Sequence, residues 1–375
     1  MKRMLLLSTV HPATDPRIVY KIAPSLAKHY QVFLALPEAT STGQVDNLRL
    51  IRLPHFRHIL SRFLFSHPVV LWKCIRLRPD VVHIFVPELI PIAFVFRWLG
   101  ARVVYEVQEN LYKKFSLKRY NNQLLFQYFF HFFDHLARRY FHCILTDDGY
   151  QTEYKSLAHP HAIVHNYASV SFLDSLINSA SPSPTVPVFF YSGVISMERA
   201  FDTLVAALAI LRQTYSDFQV HLFGPIQFDW KEAQALPDFE LVRPHLTFYG
   251  YTDQRVAIQY AQRATAGIAL LKPVGDYPES YTTKIFEYMA LKLPVVTSDF
   301  PLYKGVIETH NCGLCVSPYD APAVANALAW LIEHTKERTL MGNRGREAVE
   351  KQYNWINEET ILLGYYEDLI KIVSL

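Results

Sequence analysis

Cysteine is scarce, with four in 375 residues. That low count argues for a reducing compartment. Cys312 and Cys315 form one C-x-x-C pair with no second pair, in a stretch that reads as loop running into strand. A structural zinc needs four ligands and a redox pair needs a helix start, so neither a metal nor a cofactor is expected. Long apolar runs are missing too. No window reaches the roughly 18 uninterrupted apolar residues of a spanning helix, and Ile84–Leu99 is interrupted by Glu88 and Arg97. The short apolar run after Met1 has no small-residue cleavage site behind it, so it reads as a first core strand rather than a leader. No nucleic-acid motif is present, and nucleic acid is not an expected partner.

Half of the residues are hydrophobic, and 375 residues suit two domains better than one. The turn-rich Ser181-Pro182-Ser183-Pro184 marks the expected boundary between a first domain at 1–180 and a second at 185–358. Residues 359–375 then read as a last amphipathic helix. The net charge of +3 conceals an asymmetry: residues 1–180 carry +9 and the remainder −6. A basic first half suits an anionic surface or ligand. Its cations concentrate in Leu53–Arg78 (Arg57, Arg62, Lys73, Arg76, Arg78, with no acid) and in Lys113–Tyr140 (Lys113, Lys114, Lys118, Arg119, Arg138, Arg139). Both stretches are interleaved with aromatics. Such segments fit peripheral contact with an anionic membrane, or helices packed in the domain with snorkelling cations.

Strands and helices alternate. Met4–Ser8, a helix reaching His29, and Gln31–Leu36 form the first strand–helix–strand unit. Asp80–Phe85, Arg102–Val107, His142–Asp147 and Ala162–Asn166 read as further strands of the first domain. In the second, strands are expected at Val188–Tyr191, Phe218–Gly224, Leu246–Gly250 and Ala266–Leu271. This pattern predicts the α/β class with parallel, doubly wound sheets. Ligands bind at the carboxyl ends of such strands. That places His11, Asp15 and Arg17 at the mouth of the first domain, although Asp-Pro-Arg also suits a plain turn and helix cap. Pro87-Glu88 and Gln108-Glu109-Asn110 sit at comparable strand ends, and His83 reads as a satisfied core histidine.

Leu270–Phe300 is the most informative stretch. Glu279 and Glu287 lie on either side of Thr282, Thr283 and Lys284, which open a helix that Pro294 stops and the strand Pro294–Thr297 follows. Exposed amides at a helix start, next to a cation, favour a phosphate. Carboxylates on both flanks can take hydroxyls, or they are simply solvated charges beside a helix.

The pattern PES-x-x-TK-x-FEYMA-x-x-x-PVV-x-SDFP resembles the donor-site signature of retaining glycosyltransferase family 4. That resemblance implies a GT-B architecture, two Rossmann-like domains facing across a cleft, with the donor on the second domain and the acceptor on the first. It also implies sugar transfer from a nucleotide diphosphate with retention, without a catalytic metal, to a saccharide or lipid-linked acceptor at the cytoplasmic membrane face. By the same resemblance Glu279 contacts the donor sugar, Glu287 the ribose, and Thr282–Lys284 the diphosphate. Gly193 permits close approach to the ligand, Arg199 opens a helix and grips the diphosphate, Tyr251 takes the nucleobase position, and the Lys272-Pro273 and Gly224 strand ends complete the donor side. Acceptor contacts fall on His11, Asp15, Arg17, Gln108 and Glu109. Three departures stand out. Lys292 replaces the usual helix-ending Gly, Val194 the first diphosphate-gripping cation, and Gln108 a His. Gln forms hydrogen bonds but exchanges no proton at neutral pH. A catalytically silent nucleotide-sugar binder and a nucleotide-sugar epimerase are the alternative functions.

Overall fold

The computed structural model describes residues 1–39, 46–56, 58–114, 124–177 and 186–371. Arg57, Lys118, Arg119, the Ser181–Pro184 boundary and Val373 lie outside the described residues. The chain divides into two compact units, Met1–Asn166 with Ile356–Leu375, and Tyr167–Trp355.

Seven parallel strands build the first unit: β1 (Arg3–Leu7), β2 (Gln31–Pro37), β3 (Leu48–Leu53), β4 (Val81–Ile84), β5 (Arg102–Val107), β6 (His142–Leu145) and β7 (His161–Ile163). Their order is β3-β2-β1-β4-β5-β6-β7. Central strands such as Val81–Ile84 are buried throughout and apolar except for His83, as a parallel sheet covered on both faces requires. Strand β3 was not read from the sequence. It is an edge strand whose Arg49 and Arg52 are exposed, so the run of buried residues that marks its neighbours is absent. The last helix, Trp355–Lys371, belongs to this unit for most of its length. Tyr366 Oη bonds His83 Nδ1 at 2.6 Å, and Glu358 accepts from the His165 backbone N–H at 2.6 Å.

The second unit has a six-stranded parallel sheet: β8 (Val188–Ser192), β9 (Gln219–Phe223), β10 (Leu246–Gly250), β11 (Ala266–Ala269), β12 (Val295–Ser298) and β13 (Gly313–Val316), ordered β10-β9-β8-β11-β12-β13. Helix Phe201–Arg212 buries Leu204, Leu208 and Leu211 at helical spacing against Phe189 and Phe218. Helix Thr283–Ala290 buries Ile285, Phe286, Tyr288 and Met289 on the other side. Tyr288 pins it to the sheet by accepting from the Ser192 backbone N–H at 2.9 Å. Two helices, Ala321–Glu333 and Thr335–Lys351, lie between β13 and the terminal helix. His334, at φ −100° and ψ 64°, breaks the helical run between them.

Helix Thr283–Ala290 ends in a left-handed residue even without glycine. Lys292 has φ 58°. The Lys292 N–H donates to Met289 O at 3.1 Å and the Leu293 N–H to Tyr288 O at 2.9 Å, the paired bonds of a Schellman ending. The helix therefore closes in the left-handed geometry that glycine favours, with lysine carrying the strain. Lys292→Gly is expected to stabilise the protein by roughly 0.5–1 kcal/mol. Lys292→Ala is expected to leave stability nearly unchanged. Denaturant unfolding of the three proteins measures the difference, and a loss of stability on Lys292→Gly would contradict the strain.

Candidate functional site

In the second unit the strand order reverses between β8 and β11, and ligands of doubly wound sheets bind beyond the carboxyl ends of strands at such a reversal. Gly193 follows β8 there, at φ 130°. Its N–H donates to Phe223 O at 2.8 Å, and the Gly224 N–H donates to Gly250 O at 2.8 Å. A Cβ on Gly224 would lie 1.9 Å from Gly193 O, so only glycine permits these two strand ends to meet. A Cβ on Gly193 would stand 3.1 Å from Arg199 Nη1 and 3.3 Å from Lys284 Nζ. Two cations thus converge on a single bare stretch of backbone.

Each is brought there by local structure. Arg199 ends the turn Met197–Arg199, and the next residue, Ala200, sits in the left-handed region at φ 55°. That conformation is strained for a residue with a Cβ, and it sharply reverses the chain before helix Phe201–Arg212. The guanidinium lies 5.7 Å from the Tyr277 ring centroid. Lys284 is the second residue of helix Thr283–Ala290 and is 5% exposed. Its Nζ rests 3.9 Å over the Tyr191 ring and has no hydrogen-bond partner among the described residues. Burial holds the Lys284 ammonium well below the ordinary lysine value, the Arg199 charge pushes in the same direction, and Glu287 partly opposes them. An ammonium taken out of water without an acceptor is costly. The arrangement is satisfied by an anion that touches Lys284, Arg199 and the Gly193 backbone. Thr282 occupies the N-cap position but its side chain makes no capping bond.

Around this point the other expected donor-side residues have distinct settings. Glu287 is half-buried and accepts from Gln254 Nε2 at 2.7 Å. Gln254 opens the helix Gln254–Ala261 after β10, and nothing in its own sequence context marked it in advance. Thr283 opens its helix, Glu279 ends the exposed turn Tyr277–Glu279 beyond β11, and Pro273 is exposed in the same connection. Tyr251 follows Gly250 and is exposed. Lys272 is bound to Asp202 at 2.6 Å. Val194 offers no charge; its carbonyl accepts from the Tyr191 hydroxyl.

The acceptor-side expectations divide in the first unit. His11 Nδ1 lies 2.8 Å from Ser8 Oγ, just beyond β1. Asp15 accepts from the Ile18 N–H at 2.8 Å and so acts as a helix cap. Arg17 faces inward. It is buried and grips Glu106 at 2.8 and 3.2 Å, while also donating to Val164 O and His165 O. Its charge serves the interior of the unit. Burial raises the Glu106 carboxyl, but Arg17 and His83 outweigh it and hold the group below the usual carboxylate range. Ionised Glu106 only accepts, so the Gln108 amide that meets it at 2.7 Å does so through Nε2. The Gln108 side-chain oxygen is thereby turned away from Glu106. Glu109 beside it is exposed. Glu106 was not singled out from the sequence, although an acid inside an apolar strand signals a buried charge pair.

Residues 175–348 match the family model of the glycosyl transferases group 1. Phosphatidyl-myo-inositol mannosyltransferases of Mycobacterium leprae (strain TN) and Mycolicibacterium smegmatis (strain ATCC 700084 / mc(2)155) are 26% identical over 180 residues and 25% identical over 197. Those matches cover 48% and 52% of this chain and 46% and 49% of the relatives, so the chain spans about half the length of the curated relatives it matches. Among solved structures, sucrose-phosphate synthase from Thermosynechococcus elongatus superposes with a TM-score of 0.72 at 18% identity, over 99% of this chain and 100% of that one. Anabaena Alr3699/HepE in complex with UDP-glucose gives 0.72 at 14% identity, over 98% and 100%. These likenesses make the fold GT-B.

Replacing the buried ammonium separates stability from binding. Without ligand, Lys284→Met is expected to be more stable than the wild type by about 1–3 kcal/mol, the scale of an unsatisfied buried polar group. The unfolded chain holds the lysine proton more tightly than the folded one. Wild-type stability therefore rises as pH climbs from the depressed folded value toward the ordinary value near ~10.4. Denaturant unfolding across that range should show this slope in the wild type and its loss in the variant. An unchanged slope would remove the buried charge from the account.

Proposed function

From the match of residues 175–348 to the glycosyl transferases group 1, we propose that the protein moves a sugar from a nucleotide-diphosphate donor to a saccharide or lipid-linked acceptor, with retention of anomeric configuration. The observation that carries this reading is the unpartnered Lys284 ammonium beside Arg199 at the bare Gly193 backbone. A diphosphate is the anion that suits two cations, a glycine backbone and a helix start together. As the glycosidic bond to the donor breaks, charge grows on the leaving diphosphate. Lys284 and Arg199 meet that charge where water is excluded, so the reaction needs no metal ion for this task.

The remaining roles follow from position. Glu287, steadied by Gln254, takes ribose hydroxyls, and Tyr251 stacks on the base. Thr282 and Thr283 present first-turn amides to the phosphates, with Gly224 and Pro273 bounding the site. Glu279 holds the sugar. On the acceptor side His11, Gln108 and Glu109 are available. Gln108 accepts a bond from a carbohydrate hydroxyl and passes no proton, so the acceptor proton leaves by the departing phosphate. HepE was solved with UDP-glucose and a trehalose-6-phosphate enzyme of E. coli with UDP-2-fluoro glucose. Uridine nucleotides therefore come first in a donor screen, with mannose among the sugars because of the mannosyltransferase relatives. The second reading, a silent nucleotide-sugar binder, draws on Val194 and Gln108, which replace a cation and a proton-exchanging group.

Turnover decides between them. Lys284→Ala and Arg199→Ala are each expected to lower kcat by about 10²–10³, the scale of removing one oxyanion donor. Glu287→Ala is expected mainly to raise the donor KM, by roughly 10–100-fold. Nucleotide release from the full chain with nucleotide-sugars, with and without saccharide acceptors, measures both. Tight donor binding without release would favour the silent binder, and wild-type rates in the lysine and arginine variants would refute the assigned roles.

A further inference from the structure

The first unit carries an apolar ridge that its own core does not cover. Helical residues Ile59–Ser61 and Arg62–Ser66 expose Leu60 (72%), Leu64 (67%) and Phe65. Helix Leu124–Tyr140 exposes Tyr128 (75%), Phe129 and Phe132 (53%). Phe63 and Phe129 meet edge to face at 5.9 Å, so the two segments lie side by side. Monomer surfaces rarely leave large apolar groups contiguous without a use.

Charge identifies what covers it. Residues 53–78 contain no acid. The sole acid of helix Leu124–Tyr140, Asp134, is fully buried and bound by Arg138 at 2.7 Å. Exposed cations lie further along the same two stretches instead: Arg76 lies over the exposed Trp72 ring at 6.0 Å, and Arg139 over Tyr140 at 5.5 Å. A second copy docking through the same ridge would bring these cations against each other, whereas an anionic lipid surface pairs with them. No described helix is long and apolar enough to cross a membrane, so contact is peripheral.

The ridge is also tied to the ligand end of its sheet. Arg62, on the same helical segment, holds Glu88 at 2.8 and 3.0 Å through Nε and at 2.8 Å through Nη2. Glu88 follows β4 and also accepts from Thr9, which follows β1. The strand order of this unit reverses between β1 and β4, which makes that point its ligand-binding end.

We infer that the 59–65 and 128–132 ridge docks the protein on an anionic lipid bilayer, and that the acceptor is an amphiphile whose polar head reaches the β1–β4 end of the first unit from that surface. The acceptor part rests on the transferase reading; the docking part does not. The test uses the full chain and co-sedimentation with vesicles of phosphatidylglycerol and phosphatidylcholine, against phosphatidylcholine alone, at rising salt. The wild type should pellet with the anionic vesicles and be released by salt. The Leu64→Ser/Phe132→Ser double variant should lose at least about tenfold in partitioning, the scale of withdrawing two apolar side chains from lipid. Both positions are exposed, so its thermal melt should match the wild type. A wild type that stays in the supernatant, or a double variant that pellets equally well, overturns the inference. So does sedimentation velocity showing a dimer that the double variant dissolves. Turnover with soluble acceptors does not enter this test, so its failure leaves the transferase reading standing.

Discussion

A buried positive charge without a partner is the constraint on which the second unit's site depends. Lys284 is held against the Tyr191 ring with Arg199 close by, an arrangement that electrostatics disfavours in the absence of ligand. Several features have their explanation only if that place is kept for an anion. Gly193 and Gly224 adopt positive φ and bring two strand ends together where no side chain fits. Ala200 accepts left-handed strain so that Arg199 precedes its helix at this point. Tyr288 pins the helix Thr283–Ala290 to the end of β8. Each feature lowers the stability or the freedom of the empty protein, and under the proposed function together they preorganise donors for a diphosphate.

The first unit has the opposite logic. Its buried charge is fully engaged: Glu106 takes Arg17, His83 and Gln108, and His83 in turn takes Tyr366 of the terminal helix. One carboxylate therefore links β5, the segment after β1, β4 and the returning helix. The network fixes the face that Gln108 shows to a ligand. A histidine at that position would bring an exchangeable proton; the tethered amide brings an acceptor oxygen and its second N–H, neither of which transfers a proton at neutral pH. Under the proposed transfer the two units would divide the chemistry, the second stabilising departing charge and the first orienting hydroxyls.

Much of this was legible in the sequence because the relevant signals are local. Apolar runs marked the central strands, Pro294 the helix stop, and Thr282 to Lys284 the helix start. What was not legible depended on long-range packing. Strand β3 is exposed on its arginines and so lacks the signature of a covered strand. The interior role of Arg17 is set by Glu106, distant in sequence. Gln254 matters only because the helix it opens comes beside Glu287. The break at His334 lies in a stretch without proline or glycine at the break itself, so no local punctuation announced it. The non-glycine ending at Lys292 shows the converse: tertiary closure imposed the expected geometry on a residue that resists it.

The central claim is that Lys284 waits for a diphosphate, and proton uptake on binding tests it most directly. Calorimetric titration of UDP and GDP, at a pH of about 8 in buffers of different ionisation enthalpy, counts protons taken up by the complex; at that pH free lysine is mostly charged and the ligand phosphates are already deprotonated. The account predicts that binding draws a proton onto the wild-type protein, because the anion restores the depressed lysine toward its ordinary value, and that Lys284→Met takes up none. Binding with no proton uptake, or with equal uptake in the variant, would contradict it.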